Sequence, residues 1–257
     1  MLSIRKWIIN LLKKKNVIIT GCNRGIGKAT LEDFAKYGAN IFACVRSNTL
    51  NFKNFVSKLK KKYKVKIYII QLDLSNKSSI LKCANEISEI TRNIDIIVNN
   101  AGMLFNSLFL MTSEKQLKEI FQVNFFSQIY FTQIISKGMI RNKSGNIIFV
   151  SSTSGINGDY GRFAYSSTKA AIINASKTLS KELSSFNIRV NSISPGLTDT
   201  DLMKQNTKEN IIQDEVSKIS LKRVASVKEI AKTILFLSSE DSSYINGQNI
   251  VVDGGYI

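Results

Sequence analysis

Short apolar runs rich in β-branched residues recur along the chain: "NVIIT" (16–20), "NIFACV" (40–45), "VKIYIIQLDL" (65–74), "IDIIVNNAG" (94–102), "GNIIFVSS" (145–152), "IRVNSISPG" (188–196) and "GQNIVVDGG" (247–255). They are continuously apolar rather than alternating, the pattern of strands buried on both faces. Helix-like stretches separate them, at about 26–37, 51–63, 76–91, 113–138, 160–185, 205–218 and 226–238. Strand and helix in strict alternation predict an α/β protein: one doubly wound parallel sheet of about seven strands flanked by helices. The 257 residues show no internal linker, repeat or low-complexity tract, so residues 16–257 read as a single domain and 1–15 as an extension.

In such sheets ligands bind outside the carboxyl ends of the strands. The polar and glycine-rich segments sit there: "TGCNRGIG", "LDLS", "NNAG", "VSSTSG" and "SPGLTDT". In the first, Gly21, Gly25 and Gly27 follow a strand and open a helix, with Asn23, Arg24 and Ile26 between them. Glycines there let backbone approach a pyrophosphate, and the helix N-terminus offers N–H donors and positive dipole. The spacing is G-x3-G-x-G, a departure from G-x-G-x-x-G. The second strand would end in Asp or Glu if it gripped a ribose 2′-hydroxyl. It ends instead in Arg46, and Arg24 lies in the loop. Two guanidiniums fit a 2′-phosphate, so the expected cofactor is NADP(H).

Composition removes several chemistries. There is no His, which excludes Ser-His-Asp and Cys-His catalysis and any His-liganded metal, and no metal site is expected. Acid–base work must fall to a carboxylate, Lys, Tyr or Cys. Cys22, Cys44 and Cys83 are odd in number and lack CxxC spacing, which fits a reducing cytoplasm. Net charge is +17, from 36 basic and 19 acidic residues. The lysines are mostly scattered, and their densest runs, at 13–15 and 58–66, carry little aromatic interleaving beyond Tyr63, so nucleic-acid binding is not expected. Abundant Lys, Asn and Ile, all with A/T-rich codons, make genome bias a sufficient source of the charge. At the N-terminus Ile4, Trp7, Ile8, Leu11 and Leu12 share one helical face, with Arg5, Lys6 and Lys13 to Lys15 elsewhere. The stretch suits peripheral membrane contact, or packing on the body or a neighbouring subunit, and the packing reading is preferred.

Within "GRFAYSSTKAA" (161–171), Tyr165 and Lys169 stand one helical turn apart and so share a face. An ammonium beside a phenol favours the phenolate and is expected to lower the phenol's pKa. Ser152 ends a strand thirteen residues before Tyr165. Asn124 lies mid-helix among apolar neighbours in "FQVNFFSQ", where a buried amide needs hydrogen-bond partners.

Together these residues resemble the short-chain dehydrogenase/reductase family, over nearly the whole chain from about Asn16. "TGCNRGIG", "NNAG" (99–102), Asn124, Ser152, the Tyr165–Lys169 pair and "PG" (195–196) stand in family order and at family-like spacing. The segments "SLKRVASVKEIA" and "INGQNIVVDGG" are most similar to the 3-oxoacyl-[acyl-carrier-protein] reductase group of that family. The resemblance implies a Rossmann-type NADP(H) domain that reduces a carbonyl to a secondary alcohol. It makes Tyr165 the general acid and Ser152 its partner on the carbonyl oxygen, with Ser151 a rival disfavoured by spacing. It implies that Lys169 eases the proton transfer and holds the nicotinamide ribose, and that Asn124 positions a water leading to Lys169. It implies cofactor contacts by Asp73 and Leu74 at the adenine, by Asn99, Asn100, Ala101 and Gly102 beside them, and by Pro195, Gly196 and Thr200 near the nicotinamide.

Residues 197 to about 225 carry no catalytic signature and match the family's substrate-covering segment, with Leu202, Met203, Ile211 and Ile212 suited to an apolar acyl chain. Arg141 and Lys143 are candidates for a basic rim against an acidic carrier protein. The stretches 113–138 and 160–185 resemble subunit-pairing helices, and Phe125, Phe126, Tyr130 and Phe131 exceed what one buried face needs, so a homotetramer or dimer is expected. Two other readings stay open. One keeps the chemistry on a sugar, a steroid-like alcohol or a secondary-metabolite ketone; the other is a catalytically silent NADP(H)-binding scaffold.

Overall fold

A computed structural model describes residues 11–256. Its strands are β1 (Asn16–Thr20), β2 (Asn40–Val45), β3 (Ile67–Gln71), β4 (Ile96–Asn99), β5 (Gly145–Val150), β6 (Ile188–Pro195) and β7 (Asn249–Val252). All pair in parallel, as the continuous apolar runs predict, in the order β3-β2-β1-β4-β5-β6-β7. The chain therefore winds outward from β1 to β3, crosses back, and winds the other way from β4. That crossing leaves a crevice above β1 and β4, where the register pairs Ile18 with Ile97.

The helices between the strands are α1 (Gly25–Lys36), α2 (Leu50–Tyr63), α3 (Lys77–Ile90), α4 (Glu114–Phe121), α5 (Ser127–Asn142), α6 (Ser154–Asn157), α7 (Phe163–Leu183), α8 (Asp201–Asn206), α9 (Glu209–Lys218) and α10 (Val227–Ser238). Side chains along each strand alternate between two cores. Val17 and Ile19 join Leu31 and Phe34 of α1 and Ile230 and Ile234 of α10. Ile18 faces the other way, with Phe42, Ile80 of α3, Phe131 of α5 and Ile172 of α7. Each such aliphatic or aromatic side chain contributes about 1.5–3 kcal/mol on burial, so the sheet is held from both faces.

Two expected helices differ. The stretch 113–138 is interrupted at Gln122–Phe126 by one π-helical turn before continuing to Asn142. The stretch 205–218 is two pieces, α8 and α9, and α8 begins earlier because Thr200 caps it, its Oγ1 accepting from Met203 N at 3.1 Å. Of the N-terminal stretch, Ile4, Trp7 and Ile8 lie outside the described residues. Leu12 is buried among the α1-side core residues, and its N–H donates to the Tyr37 carbonyl at 3.1 Å.

Candidate active site

The carboxyl ends of the strands open into one cleft of about 1450 Å³. At its β1 end the walls are backbone. Gly21 holds φ +67°, and a Cβ there would lie 2.8 Å from the Ala101 Cα. Thr20 Oγ1 accepts from the N–H groups of both Asn100 and Ala101 at 3.0 Å, and Asn100 Nδ2 donates to the carbonyls of Thr20 and Gly21. These bonds clamp the first glycine loop to the loop after β4. Helix α1 starts at Gly25 with no side-chain cap and no acidic residue in its first turn, so its leading N–H groups and positive dipole end are left available to an anion. Asn23, Arg24, Gly25, Ile26 and Arg46 line the same end, with Asp73 and Leu74 beside them. The Asp73 carboxyl is held below the usual range, mainly by accepting from the Ser75 hydroxyl and N–H at 2.7 and 2.9 Å, with Arg46 adding to the effect.

Toward β5 and β6 the walls become side chains. Ser152, Tyr165 and Lys169 line the cleft together, with Pro195, Gly196 and Thr200 on the facing side. Lys169 is 4% exposed, its Nζ donates to the Val150 carbonyl at 2.8 Å, and it sits 5.7 Å from the centre of the Tyr165 ring. Burial pushes the Lys169 ammonium down to about 8. Burial also pushes the Tyr165 phenol above its ordinary value, with the Ser152 hydroxyl pulling the other way. The lowered phenol pKa expected from the helical spacing is therefore not what the pocket produces. Lys169 is buried and Tyr165 half-buried in the cleft wall, and each charged form is penalised. Ser151 turns inward, its hydroxyl donating to the Lys169 carbonyl at 2.8 Å, whereas Ser152 faces the cleft.

Residues 21–257 match the family model described as Enoyl-(Acyl carrier protein) reductase. The 3-oxoacyl-[acyl-carrier-protein] reductase FabG of Aquifex aeolicus is 37% identical over 244 residues, which is 95% of this chain and 98% of that protein. The protein of the same name from Thermotoga maritima is 35% identical over 250 residues, 96% and 99% of the two chains. A solved 7α-hydroxysteroid dehydrogenase, complexed with NADH and 7-oxo glycochenodeoxycholic acid, superposes with a TM-score of 0.90 over 96% of each chain at 28% identity. The chain belongs to the short-chain dehydrogenase/reductase family. As a family member it is an oxidoreductase of the alcohol–carbonyl couple that uses a nicotinamide cofactor. The bare glycine backbone, the uncapped helix end and the two arginines fit the pyrophosphate and ribose end of such a group.

Three expected residues stand behind the wall. Gly27 is buried, and a Cβ there would lie 2.4 Å from the Gly21 carbonyl oxygen and 2.5 Å from Asn100 Nδ2, so its bareness serves packing of the loop. Asn99 points into the core and donates to Thr132 Oγ1 at 2.8 Å. Asn124 is fully buried in the π turn. Its Oδ1 accepts from Met103 N at 2.8 Å, while its Nδ2 donates to the Met103 carbonyl at 2.8 Å and to Thr168 Oγ1 at 3.2 Å. The loop after β4 is thus pinned to the helix that follows, and the extra residue of the π turn aims the amide inward.

The substrate end is lined by Met103, Leu104, Leu197, Leu202, Met203 and Ile211, together with polar residues that sequence reasoning did not single out. Among these are Asn106, Asp159, Arg162, Thr207, Glu215 and Tyr256. The Tyr256 hydroxyl donates to Glu215 at 2.5 Å, and that carboxylate pushes the phenol up to about 12. Among the described residues no helix is long and apolar enough to cross a membrane.

Proposed function

We propose that the protein reduces the ketone of a 3-oxoacyl thioester, with NADPH as the cofactor. The observation that carries this reading is the grouping of Tyr165, Ser152 and Lys169 in the cleft that continues to the glycine-lined strand ends. Bound NADPH supplies the hydride that the carbonyl carbon accepts. The Ser152 hydroxyl donates to the carbonyl oxygen and holds it. The Tyr165 O–H donates to the same oxygen and passes its proton as charge develops there; its raised pKa keeps that proton in place near neutral pH until then. Lys169 makes the resulting phenolate tolerable, and below about pH 8 it is charged to do so. Asn124 positions the water that resupplies the proton.

Arg24 and Arg46 hold the 2′-phosphate. Both are exposed at the cleft edge, and β2 ends with no carboxylate to take a ribose hydroxyl instead. Gly21, Asn23, Gly25 and Ile26 cradle the pyrophosphate. Asp73 and Leu74 meet the adenine, Asn100, Ala101 and Gly102 the neighbouring ribose, and Pro195, Gly196 and Thr200 the nicotinamide side. The thioester assignment is supported by the names of the bacterial relatives and by the apolar lining of the substrate end. A carrier-linked substrate brings an acidic partner, but Arg141 and Lys143, the residues expected to form a basic rim, stand at the C-terminal end of α5 just before β5 and do not line the cleft of this chain. We place the enzyme in the cytoplasm as a homotetramer or dimer.

Purified protein given acetoacetyl thioester consumes NADPH, and Tyr165→Phe loses about 10²–10⁴-fold in rate while still binding the dinucleotide. Unchanged turnover in that variant removes Tyr165 as the acid. Turnover of a steroid or sugar ketone in place of the thioester replaces the substrate and keeps the chemistry.

A further inference from the structure

Between Ser152 and Tyr165 the chain turns back on itself twice. Gly158 and Gly161 both hold φ +71° and have nothing within 4 Å of where a Cβ would stand, so they are there to turn the chain, not to clear space. The turns return Asp159 to the start of α6. There Asp159 Oδ2 accepts from the hydroxyl of Ser154, a side chain 3% exposed, and from Arg162 Nη1 at 3.1 Å. The Ser154 N–H donates to Ser152 Oγ at 3.2 Å. A serine hydroxyl has one donor and two acceptor lobes. That N–H holds the Ser152 Oγ in the cleft wall and takes one acceptor lobe, leaving its O–H free to be given to a substrate oxygen.

Arg162 faces the other way as well. Its Nε donates to Asn106 Oδ1 at 3.3 Å and its Nη2 to Thr207 Oγ1 at 3.5 Å. Asn106 Nδ2 in turn donates to the Asn206 carbonyl at 2.8 Å. Asn206 and Thr207 form the bend between α8 and α9, the segment that covers the substrate end. The rigid guanidinium fork therefore touches three pieces of chain at once, and only Asp159 sits within the turn that bears the serine.

We propose that Asp159 is a positioning residue: through Ser154 on one side and Arg162 on the other, it couples closure of the 201–218 lid to the orientation of Ser152. The coupling rests on the reduction proposed above. The links differ in quality. Those from Ser154 to Asp159 and from Arg162 to Asp159 are short or charge-assisted, while the contacts of Arg162 with Asn106 and Thr207 are to neutral acceptors and longer, and the one with Asn106 is exposed. When the lid lifts, the outer contacts of Arg162 go first, and its hold on Asp159, and through Ser154 on Ser152, loosens with them. Arg162 has its full set of partners only when the lid is down. Arg162 and Asp159 also act on the Tyr165 phenol with opposite signs, the guanidinium favouring its ionisation and the carboxylate opposing it.

The test uses the full chain as wild type, Asp159→Ala, Asp159→Asn and Arg162→Gln. Steady-state NADPH oxidation on acetoacetyl thioester and backbone hydrogen exchange over 201–218 are both followed. Asp159→Ala lowers kcat about tenfold or more with little change in KM. Asp159→Asn, which keeps an acceptor for Ser154, recovers most of that loss. Arg162→Gln raises KM for the thioester and speeds exchange across the lid, and by reciprocity Asp159→Ala speeds it too. The proposal fails if Asp159→Ala keeps wild-type kcat. It also fails if kcat, NADPH affinity and thermal midpoint fall together and Asp159→Asn rescues none of them. A wild-type protein that turns over no ketone removes the reduction reading alone. Lid exchange then still decides the coupling, being raised in both Arg162→Gln and Asp159→Ala if it exists and unmoved if it does not.

Discussion

At the β1 end of the cleft, a methyl group added to Gly21 or Gly27 would lie within 2.8 Å of neighbouring heavy atoms, whereas the lid at the other end meets Asn106 and Arg162 through two polar contacts, one exposed and one long. One end is shaped by backbone packed against backbone. The other is shaped by side chains that reach across gaps between separate segments. A dinucleotide needs the same unyielding cradle in every turnover, and that end provides it. A substrate must enter and leave, and the weakly tied end allows it.

The sharpest way to break this contrast is to fill the tight end. Gly27→Ala places a Cβ 2.4 Å from the Gly21 carbonyl oxygen and 2.5 Å from Asn100 Nδ2, an amide held by two hydrogen bonds. Overpacking of this kind costs roughly 1–3 kcal/mol. Here it also pushes apart the two loops that Asn100 clamps. The expected outcome is loss of NADPH binding in a fluorescence titration together with a lower thermal midpoint. A variant that binds NADPH like wild type would show that the cradle is pliable and the contrast false.

Lys169 sits where the two ends meet, and its burial gives a pH signature. Its folded pKa of about 8 lies below its ordinary value of 10.5. Below pH 8 the charged form is carried in both folded and unfolded chains, and the folded protein bears the whole penalty. Between about 8 and 10.5 the unfolded chain binds more protons, so stability rises with pH and the penalty is gone above 10.5. The full effect is up to ~3 kcal/mol. Denaturant midpoints of wild type and Lys169→Met measured across this window should converge at high pH, with the mutant the more stable below it. Parallel curves would mean that the ammonium is solvated in the free enzyme.

Arg46 tests the cradle's selectivity. A charge-assisted hydrogen bond to a phosphate contributes about 1.5–3 kcal/mol, so Arg46→Glu should cut the kcat/KM preference for NADPH over NADH by about tenfold to a hundredfold. Equal use of both cofactors by wild type would remove the assignment.

The same contrast explains which features are legible in the amino-acid sequence. Continuous apolar runs such as "NVIIT" and "GNIIFV" announce strands covered on both faces, because that pattern is local and the sheet is made of it. Glycine loops are legible for the same reason: Gly21 and Gly25 hold positive φ that other residues resist. The Tyr165–Lys169 spacing places both groups on one helix face, but their pKa values depend on burial by other segments, so the direction inferred for the phenol from its neighbour alone is wrong. The π turn at Gln122–Phe126 has no local signal, and the partner that its Asn124 meets is a backbone 21 residues away. Arg162 is the clearest case. Its pairing with Asp159 at i,i+3 is visible in "GDYGRF", yet the partners that give it meaning, Asn106 and Thr207, lie 56 and 45 residues off.

The smallest expected effect sharpens the contrast from the loose side. Asn106→Ala removes the donor to the Asn206 carbonyl and the acceptor for Arg162 Nε, both near solvent. Exposed hydrogen bonds of this type contribute about 0.5–1.5 kcal/mol each, and water replaces part of that when they are cut. The lid should open more often, without any change in the dinucleotide cradle. KM for the thioester should therefore rise severalfold while NADPH affinity and thermal midpoint stay at wild-type values. Steady-state kinetics with both substrates varied, beside a melting curve, separates these quantities. If NADPH affinity falls in step with KM, the two ends of the cleft share one rigid body, and the lid is not the independent part that its two polar contacts imply.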